Sequence, residues 1–317
     1  MTTVTTVAAG SAASPGPDGA TSFRPATPDD LPACAEVWRD SLNDYMGRLN
    51  LPPIPDELAP IGRLHAHLRS TDPDRFWIAT DVRGSIEGFV SAVVRDRVWF
   101  LSMLFVRPGV QGRGLGRALL GRVLPAREDG MVLATCTDAA QPISNALYST
   151  YGIVPRMPLL NLTGRPAQPA ALPALPAGIA ATPVDAVADA AAIDALDRDV
   201  AGLAHPQDHR FLASEGRRGF VYRSGSSVVG YGYASAVGRI GPVAVRDEDV
   251  LGPVLGHLLG ALEPRGASAV WVPGHADRAV VTLLDAGLRF EGFPVLACWS
   301  ATFADFRRYL PISPGLL

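Results

Sequence analysis

The chain alternates short apolar runs with amphipathic segments, the pattern of strands laid down between helices. A strand-like stretch at residues 21–25 leads through Thr27-Pro-Asp-Asp30 into a helix predicted at Leu31–Leu42, with Thr27 or Asp29 as candidate caps. Residues 75–80 and 87–94 read as successive strands. Val98–Val106 is a continuous run with β-branched and aromatic residues; it turns at Pro108-Gly109 and becomes a glycine-rich loop opening an amphipathic helix. Residues 131–136 then read as a buried strand, and residues 144–152 as a short helix ended by glycine.

The loop Gln111-Gly-Arg-Gly-Leu-Gly-Arg117 carries the first chemistry. Gly112, Gly114 and Gly116 lack a Cβ, so the chain can take unusual dihedrals and press its N–H groups against a ligand. The first turn of the following helix adds donors without an intrahelical partner, and its dipole favours an anion there. Arg113 and Arg117 can add charge-assisted bonds to phosphate oxygens. The loop reads as a pyrophosphate cradle. It is not the dinucleotide fingerprint G-x-G-x-x-G, because its glycines fall as G-x-G-x-G before Arg117. It is not a P-loop either, since the chain has no lysine.

What remains, Gln111-x-x-Gly114-x-Gly116 after a hydrophobic strand, resembles motif A of the GCN5-related N-acetyltransferases, the GNAT superfamily. A second segment resembles that family's L-Y-x-x-x-G-F: Leu147, Tyr148 and Gly152 match, and Ile153 replaces the usual aromatic residue. Where the family often has a coenzyme A-holding asparagine, seven residues before the tyrosine, this chain has Gln141. The resemblance implies an α/β (α+β) fold with a mixed, mostly antiparallel twisted sheet flanked by helices.

The second half resembles a repeat of the first with its chemistry removed. Residues 219–222, 228–234 and 239–245 are three candidate strands, followed by a helix at Val250–Leu262, a strand at 267–272, a helix at Ala279–Ala286 and a Gly287-Leu-Arg-Phe290 ending. At the loop position stands Arg246-Asp-Glu-Asp-Val-Leu251. Carboxylates there satisfy a helix N-terminus themselves and repel a pyrophosphate. The expected organisation is a disordered tail at 1–20, a catalytic GNAT domain at 21–163, a Pro/Ala-rich linker at 164–178, and a degenerate GNAT-like domain at 179–317 that does not bind coenzyme A.

Composition adds boundaries. A chain of 317 residues suggests two domains at roughly 150 residues each. No apolar run approaches the roughly 20 residues needed to cross a bilayer, and the first twenty residues lack the layout of a signal peptide, so a cytoplasmic protein without a membrane partner is expected. A net charge of −3 gives no reason to expect nucleic acid. Arginine supplies all 28 basic residues beside heavy Ala, Gly and Pro use, which suggests a GC-rich bacterial genome and leaves no lysine for autoacetylation or Schiff-base chemistry. Cys34, Cys136 and Cys298 read as buried thiols. His205-Pro-Gln-Asp-His209 puts two histidines near a carboxylate, but the proline and the lack of a third ligand argue against a metal, and none is expected.

The resemblance also implies a mechanism: direct transfer of an acetyl group from acetyl-CoA, as acyl-donor cosubstrate, to an amine, without an enzyme nucleophile. Unpaired backbone groups of Leu104, Phe105 and Val106 would hold the pantetheine arm, residues Gln111 to Arg117 (with Leu115) the pyrophosphate, and Gln141 a further coenzyme A contact. Tyr148 would protonate the departing thiolate. Val98–Val106 holds no Asp, Glu or His, so proton removal from the amine is expected through water, with Ser102, Glu57, His65 and His67 as weaker candidates and each histidine expected on a solvated helix face. The segment Tyr45 to Pro60, with Tyr45 and Glu57, is the candidate acceptor wall, and the acceptor is expected to be a small-molecule amine. Another acyl group, a protein amine, or a non-catalytic acyl-CoA-binding module are the alternatives, and either a monomer or a homodimer fits.

Overall fold

The computed structural model describes residues 21–126, 130–167 and 172–317. The expected tail at 1–20 and the linker's residues 168–171 lie outside them. The chain packs as two compact units, one of residues up to 69 with 73–90 and 104–124, the other of 70–72, 91–103 and 125–317. These boundaries cut across the halves expected from the sequence.

In the first unit β1 (Ser22–Pro25) leads to α1 (Leu31–Arg48) and α2 (Ala59–Thr71), then β2 (Phe76–Thr80), the first half of β3 (Ile86–Arg95), the end of β4 (Val98–Val106) and α3 (Leu115–Val123). The strands lie in the order β1-β2-β3-β4. Helix α1 runs one and a half turns past the expected Leu42, so Tyr45 is a buried helix residue rather than part of a connection. Thr27 caps a short 3₁₀ turn before α1, but Asp30 is its reciprocal partner: the Asp30 carboxylate accepts from Thr27 N and Oγ1, both at 2.7 Å. The core is aromatic. Phe89 stacks between Phe76 and Phe105, with ring centroids 5.7 Å apart on each side. Gly88 lets the layers close, because a Cβ there would stand 2.9 Å from the Phe105 carbonyl oxygen and 3.1 Å from Leu119 of α3.

The second unit continues with β5 (Val132–Asp138), α4 (Pro142–Ser149), β6 (Val154–Gly164), β7 (Ile179–Pro183), α5 (Ala190–Val200), α6 (Pro206–Ser214), β8 (Arg218–Ser224), β9 (Ser227–Ala234), β10 (Arg239–Val245), α7 (Leu251–Ala261), β11 (Ser268–Pro273), α8 (Asp277–Asp285), β12 (Arg289–Phe290), β13 (Val295–Trp299) and β14 (Tyr309–Leu310). Its sheet runs β4-β5-β13-β6-β11-β10-β9-β8-β7 and is antiparallel except at β4–β5 and β10–β11. Those two parallel pairs occupy equivalent places in the repeated element order. The last long strands are exchanged: β13, from the end of the chain, lies between β5 and β6, while β6 crosses to pair with β11.

The core of this unit is built by α7, α8 and the inner face of the sheet, including Tyr222, Val243, Leu251, Leu255, Val270 and Leu283. The stretch expected to be a bare linker is partly integrated. Gly164 still belongs to β6, Arg165 Nε donates to the Gly266 carbonyl, and Leu172 and Leu175 pack on the core. Cys34 and Cys298 are buried, Cys136 is half-buried, and all three are free thiols. Among the described residues no helix is long and apolar enough to cross a membrane.

Two outcomes follow from this packing. A chain ending at residue 178 loses β11 and β13, leaving β5 and β6 with unpaired edges; it is expected to be insoluble or to lack a cooperative thermal transition, and a folded monomer by circular dichroism and gel filtration would contradict the exchange. The Arg24 guanidinium, hydrogen-bonded to Asp30 at 2.6 and 2.8 Å, holds that carboxyl down at about 2. Its folded value lies below its unfolded one, so the stabilisation is present above about pH 4 and is lost as pH falls toward 2. Arg24 is half exposed, so Asp30→Asn is expected to cost about 1 kcal/mol at pH 7, shrinking toward pH 2, by chemical denaturation at both ends of that range.

Candidate active site

The glycine-rich loop has the shape expected of a cradle. After β4 a 3₁₀ turn at Pro108–Val110 brings in Gln111, whose Nε2 donates back to the Val106 carbonyl at 2.8 Å. Gly112 and Gly114 take left-handed φ values of +81° and +82°, with open space where a Cβ would be. Gly114 is the N-cap residue of α3. Gly116 has an ordinary helical backbone, so its conformational freedom is not used. Among the described residues, the amides of Gly112 to Arg117 donate to no backbone carbonyl; the first to do so is Ala118, to Gly114. Leu115 is the buried anchor of this first turn. Arg113 and Arg117 are exposed. Free N–H groups, a helix N-terminus and two flanking guanidinium groups together suit a diphosphate.

The loop is anchored at its start by contacts that sequence reasoning missed. Arg107 Nη1 pairs with Asp40 Oδ2 at 2.5 Å, and Arg107 Nε donates to the Ile86 carbonyl. Ser41 Oγ donates to the Val106 carbonyl at 3.0 Å. These partners sit on α1, far from the loop in sequence, and nothing in the periodicity singles them out. Ser41 Oγ and Gln111 Nε2 both donate to the Val106 carbonyl, so it is not the free backbone acceptor expected from the resemblance; Leu104 and Phe105 carry no such side-chain bond among the described residues.

The parallel pairing of β4 with β5 covers Val98–Leu101 against Val132–Thr135 and stops there, although β4 continues to Val106 and β5 to Asp138. The equivalent parallel pair in the second half is shorter still, Arg239–Ile240 against Ala269–Val270. Past it, β10 is occupied by the chain itself: Val243 and Ala244 pair with Leu310 and Tyr309 of β14, and Val245 N donates to the Arg308 carbonyl. The loop after β10 has the expected acidic cap, with the Asp247 side chain accepting from Asp249 N at 3.0 Å and Asp249 paired to Arg278.

Tyr148 lies on α4 and is buried. Burial holds its phenol well above the ordinary tyrosine range, so the hydroxyl stays protonated; Ser144, one turn earlier, hydrogen-bonds it. Gly152 ends the helix with φ +79°, and Ile153 N reaches back to the Tyr148 carbonyl. Ile153 is fully buried, so it fills the aromatic's place as core. Gln141 is the N-cap residue of α4; its main-chain carbonyl accepts from Asn145 N and Nδ2.

The candidate bases are placed elsewhere than expected. His65 is not on a solvated face: it is fully buried, edge-on to Phe76 and Phe89 and bonded to the Leu31 backbone, and burial lowers its value to about 4. His67 is buried too. Glu57 is exposed and its Oε1 accepts from Ala59 N at 3.0 Å, capping α2. Ser102 Oγ donates to the Gly315 carbonyl at 2.5 Å, which occupies the hydroxyl expected to hold a water. A different ionisable cluster appears: Asp197 on α5 stands with His205 and His209, supplying the third ligand-type group that the sequence lacked nearby.

Comparisons with known proteins agree with this geometry. No curated protein gives a significant match to the sequence. A provisionally assigned acetyltransferase from Pyrococcus horikoshii aligns over 94% of this chain and 96% of its own, with a TM-score of 0.72 at 14% identity. A GCN5-related N-acetyltransferase from Sphaerobacter thermophilus aligns over 91% and 98%, with a TM-score of 0.57 at 17% identity. A tandem GNAT protein from the clavulanic acid biosynthesis pathway, solved without acetyl-CoA, aligns over 88% and 97%, with a TM-score of 0.54 at 17% identity. At these identities the likeness is one of fold. The model of the acetyltransferase (GNAT) family matches residues 36–153, which contain the glycine loop, the parting of β4 and β5, and the Tyr148 helix. Residues 36–153 are thus similar to the acetyltransferase (GNAT) family, and the rest of the chain is like it in fold.

Proposed function

We propose that the protein is an N-acetyltransferase that moves the acetyl group of acetyl-CoA to the amine of a small molecule, at one site per chain. The observation that carries this reading is the loop Gly112–Arg117, with its unbonded amides and two left-handed glycines at the start of α3. In this reading those amides, with Arg113 and Arg117, hold the diphosphate of the donor. The edge of β4 at Leu104 and Phe105 aligns the pantetheine arm, and Gln141 adds a contact near the start of α4.

The amine nitrogen, once neutral, attacks the thioester carbonyl carbon; the carbon–sulfur bond breaks, and the Tyr148 hydroxyl gives its proton to the departing thiolate. The raised proton affinity of that phenol keeps it an acid through neutral pH. The amine's proton leaves through water, because His65, Glu57 and Ser102 are each committed to packing or to a backbone bond. Tyr45 and the segment that follows α1 border the acceptor. The second half takes no donor: its loop is capped by Asp247, and β14 fills the edge of β10 that a pantetheine arm would need. The protein is expected in the cytoplasm, as a monomer or homodimer, without a nucleic-acid partner.

Release of free coenzyme A from acetyl-CoA, measured over a panel of small amines, tests this directly. At least one amine is expected to stimulate release, and Tyr148→Phe is expected to lower kcat by about 10- to 100-fold while leaving the KM for acetyl-CoA within about twofold. Binding of coenzyme A without turnover for any amine would make the chain a non-catalytic binding module. Turnover with propionyl-CoA or a longer donor alone would correct the acyl group.

A further inference from the structure

Asp197, His205 and His209 offer three ligand atoms that all lie within 4.8 Å of one another, none of them near the acyl-transfer residues in sequence. The Asp197 Oδ2 is 2.9 Å from His209 Nε2 and 3.4 Å from His205 Nε2, so both imidazoles converge on one carboxylate oxygen. His205 is fully buried, yet among the described residues neither of its ring nitrogens makes a well-aligned hydrogen bond, the Asp197 oxygen at 3.4 Å included, and His209 Nδ1 makes none either. Buried imidazole nitrogens left unsatisfied are costly, and their usual explanation is an ion or water that belongs at the place.

The surroundings are those of a ligand set with its supports. Asp197 keeps its other oxygen for the Tyr231 hydroxyl at 2.5 Å, which fixes the carboxylate's orientation. His205 Nδ1 faces Asp208 Oδ2 at 3.7 Å, and Asp208 is held in turn by a two-bond contact with Arg95 at 2.8 and 2.9 Å. A carboxylate behind a ligating histidine is the arrangement that orients imidazoles toward a metal. Tyr233 stacks on the His209 ring and Tyr231 meets it edge-on, so that ring has little freedom. The Tyr309 ring meets the His205 ring edge-on with centroids 6.4 Å apart, and its buried hydroxyl has no hydrogen-bond partner among the described residues. Charge points the same way. Asp72, Asp197 and Asp208 place three carboxylates beside the one guanidinium of Arg95, all buried, so the cluster holds two more carboxylates than guanidinium groups. A divalent cation balances that excess.

We propose that Asp197, His205 and His209 bind one Zn²⁺ ion that pins α5 to the start of α6. Two imidazoles and a carboxylate suit zinc in four-coordinate geometry, with bonds of about 2.0–2.2 Å. At that length two ligand atoms stand about 3.4 Å apart, the separation present between Asp197 Oδ2 and His205 Nε2, while Asp197 Oδ2 and His209 Nε2, now 2.9 Å apart, must open by about 0.5 Å. The local sequence motif shows only two of the three ligands, because the third lies on the preceding helix, eight residues before His205.

The test uses the full-length protein, stripped with a chelator and titrated with Co²⁺ and then Zn²⁺. One Co²⁺ per chain is expected, with the intense visible bands of four-coordinate cobalt, displaced by one Zn²⁺; saturating zinc should raise the Tm by at least about 5 °C. Asp197→Asn and His209→Gln should each weaken zinc binding by about 100-fold or more. Should either variant fail to fold, the cobalt spectrum of the unaltered protein decides. Absence of those bands together with a Tm indifferent to zinc would overturn the proposal and leave a hydrogen-bonded histidine–carboxylate cluster. Metal uptake unchanged in both folded variants would overturn it equally.

Discussion

The exchange of β6 and β13 is the constraint on which the second unit depends. A strand with two open edges must be paired on both or covered. Here β5 finds β13 on one side, and β6 finds β13 and β11. Helix α4, which carries Tyr148, is strung between β5 and β6 in sequence, so both ends of the helix are tied to strands whose partners come from the far end of the chain. Residues 295–299 therefore bear on the position of the tyrosine. The second half also contributes through β14, which closes the edge of β10 that its counterpart, β4, leaves open to β5 beyond Leu101.

The filled edge of the second half is the physical reason the proposed function has one donor site rather than two. A backbone edge can pair with a ligand arm or with protein, but not both. In the second half the edge is taken by Tyr309 and Leu310, and the helix start is taken by Asp247. In the first half the corresponding loop keeps its amides unbonded and takes left-handed turns at Gly112 and Gly114. Preorganised donors of this kind need no rearrangement when an anion arrives, which is the condition under which backbone dipoles act most strongly.

Much of the first-half site was legible because its signals are local. The run Val98–Val106 followed by glycines predicted strand, loop and helix, and Gly152 marked the end of α4; each depends on residues adjacent in sequence. The acidic cap at Asp247 was legible for the same reason. What could not be read is pairing at a distance. Periodicity identifies a strand but not its neighbour, so the exchange of β6 with β13, and with it the boundaries of the compact units, left no mark. The loop anchors Asp40 and Ser41 are ordinary polar residues of a helix, and Ser102 meets a carbonyl more than two hundred residues away. His65 sits on the buried side of α2, where a polar residue type hides the apolar pattern, and the third member of the histidine cluster stands on another helix.

The central claim is that the glycine loop is the single coenzyme A site of a duplicated chain. Isothermal titration of the full-length protein with coenzyme A, beside the Gly114→Asp variant, tests it most directly. One site per chain is expected, with binding abolished in a variant that keeps its thermal transition, because a carboxylate on the left-handed cap residue repels the diphosphate and costs about 1 kcal/mol in backbone strain. Two sites per chain, or unchanged binding in Gly114→Asp, would contradict the account.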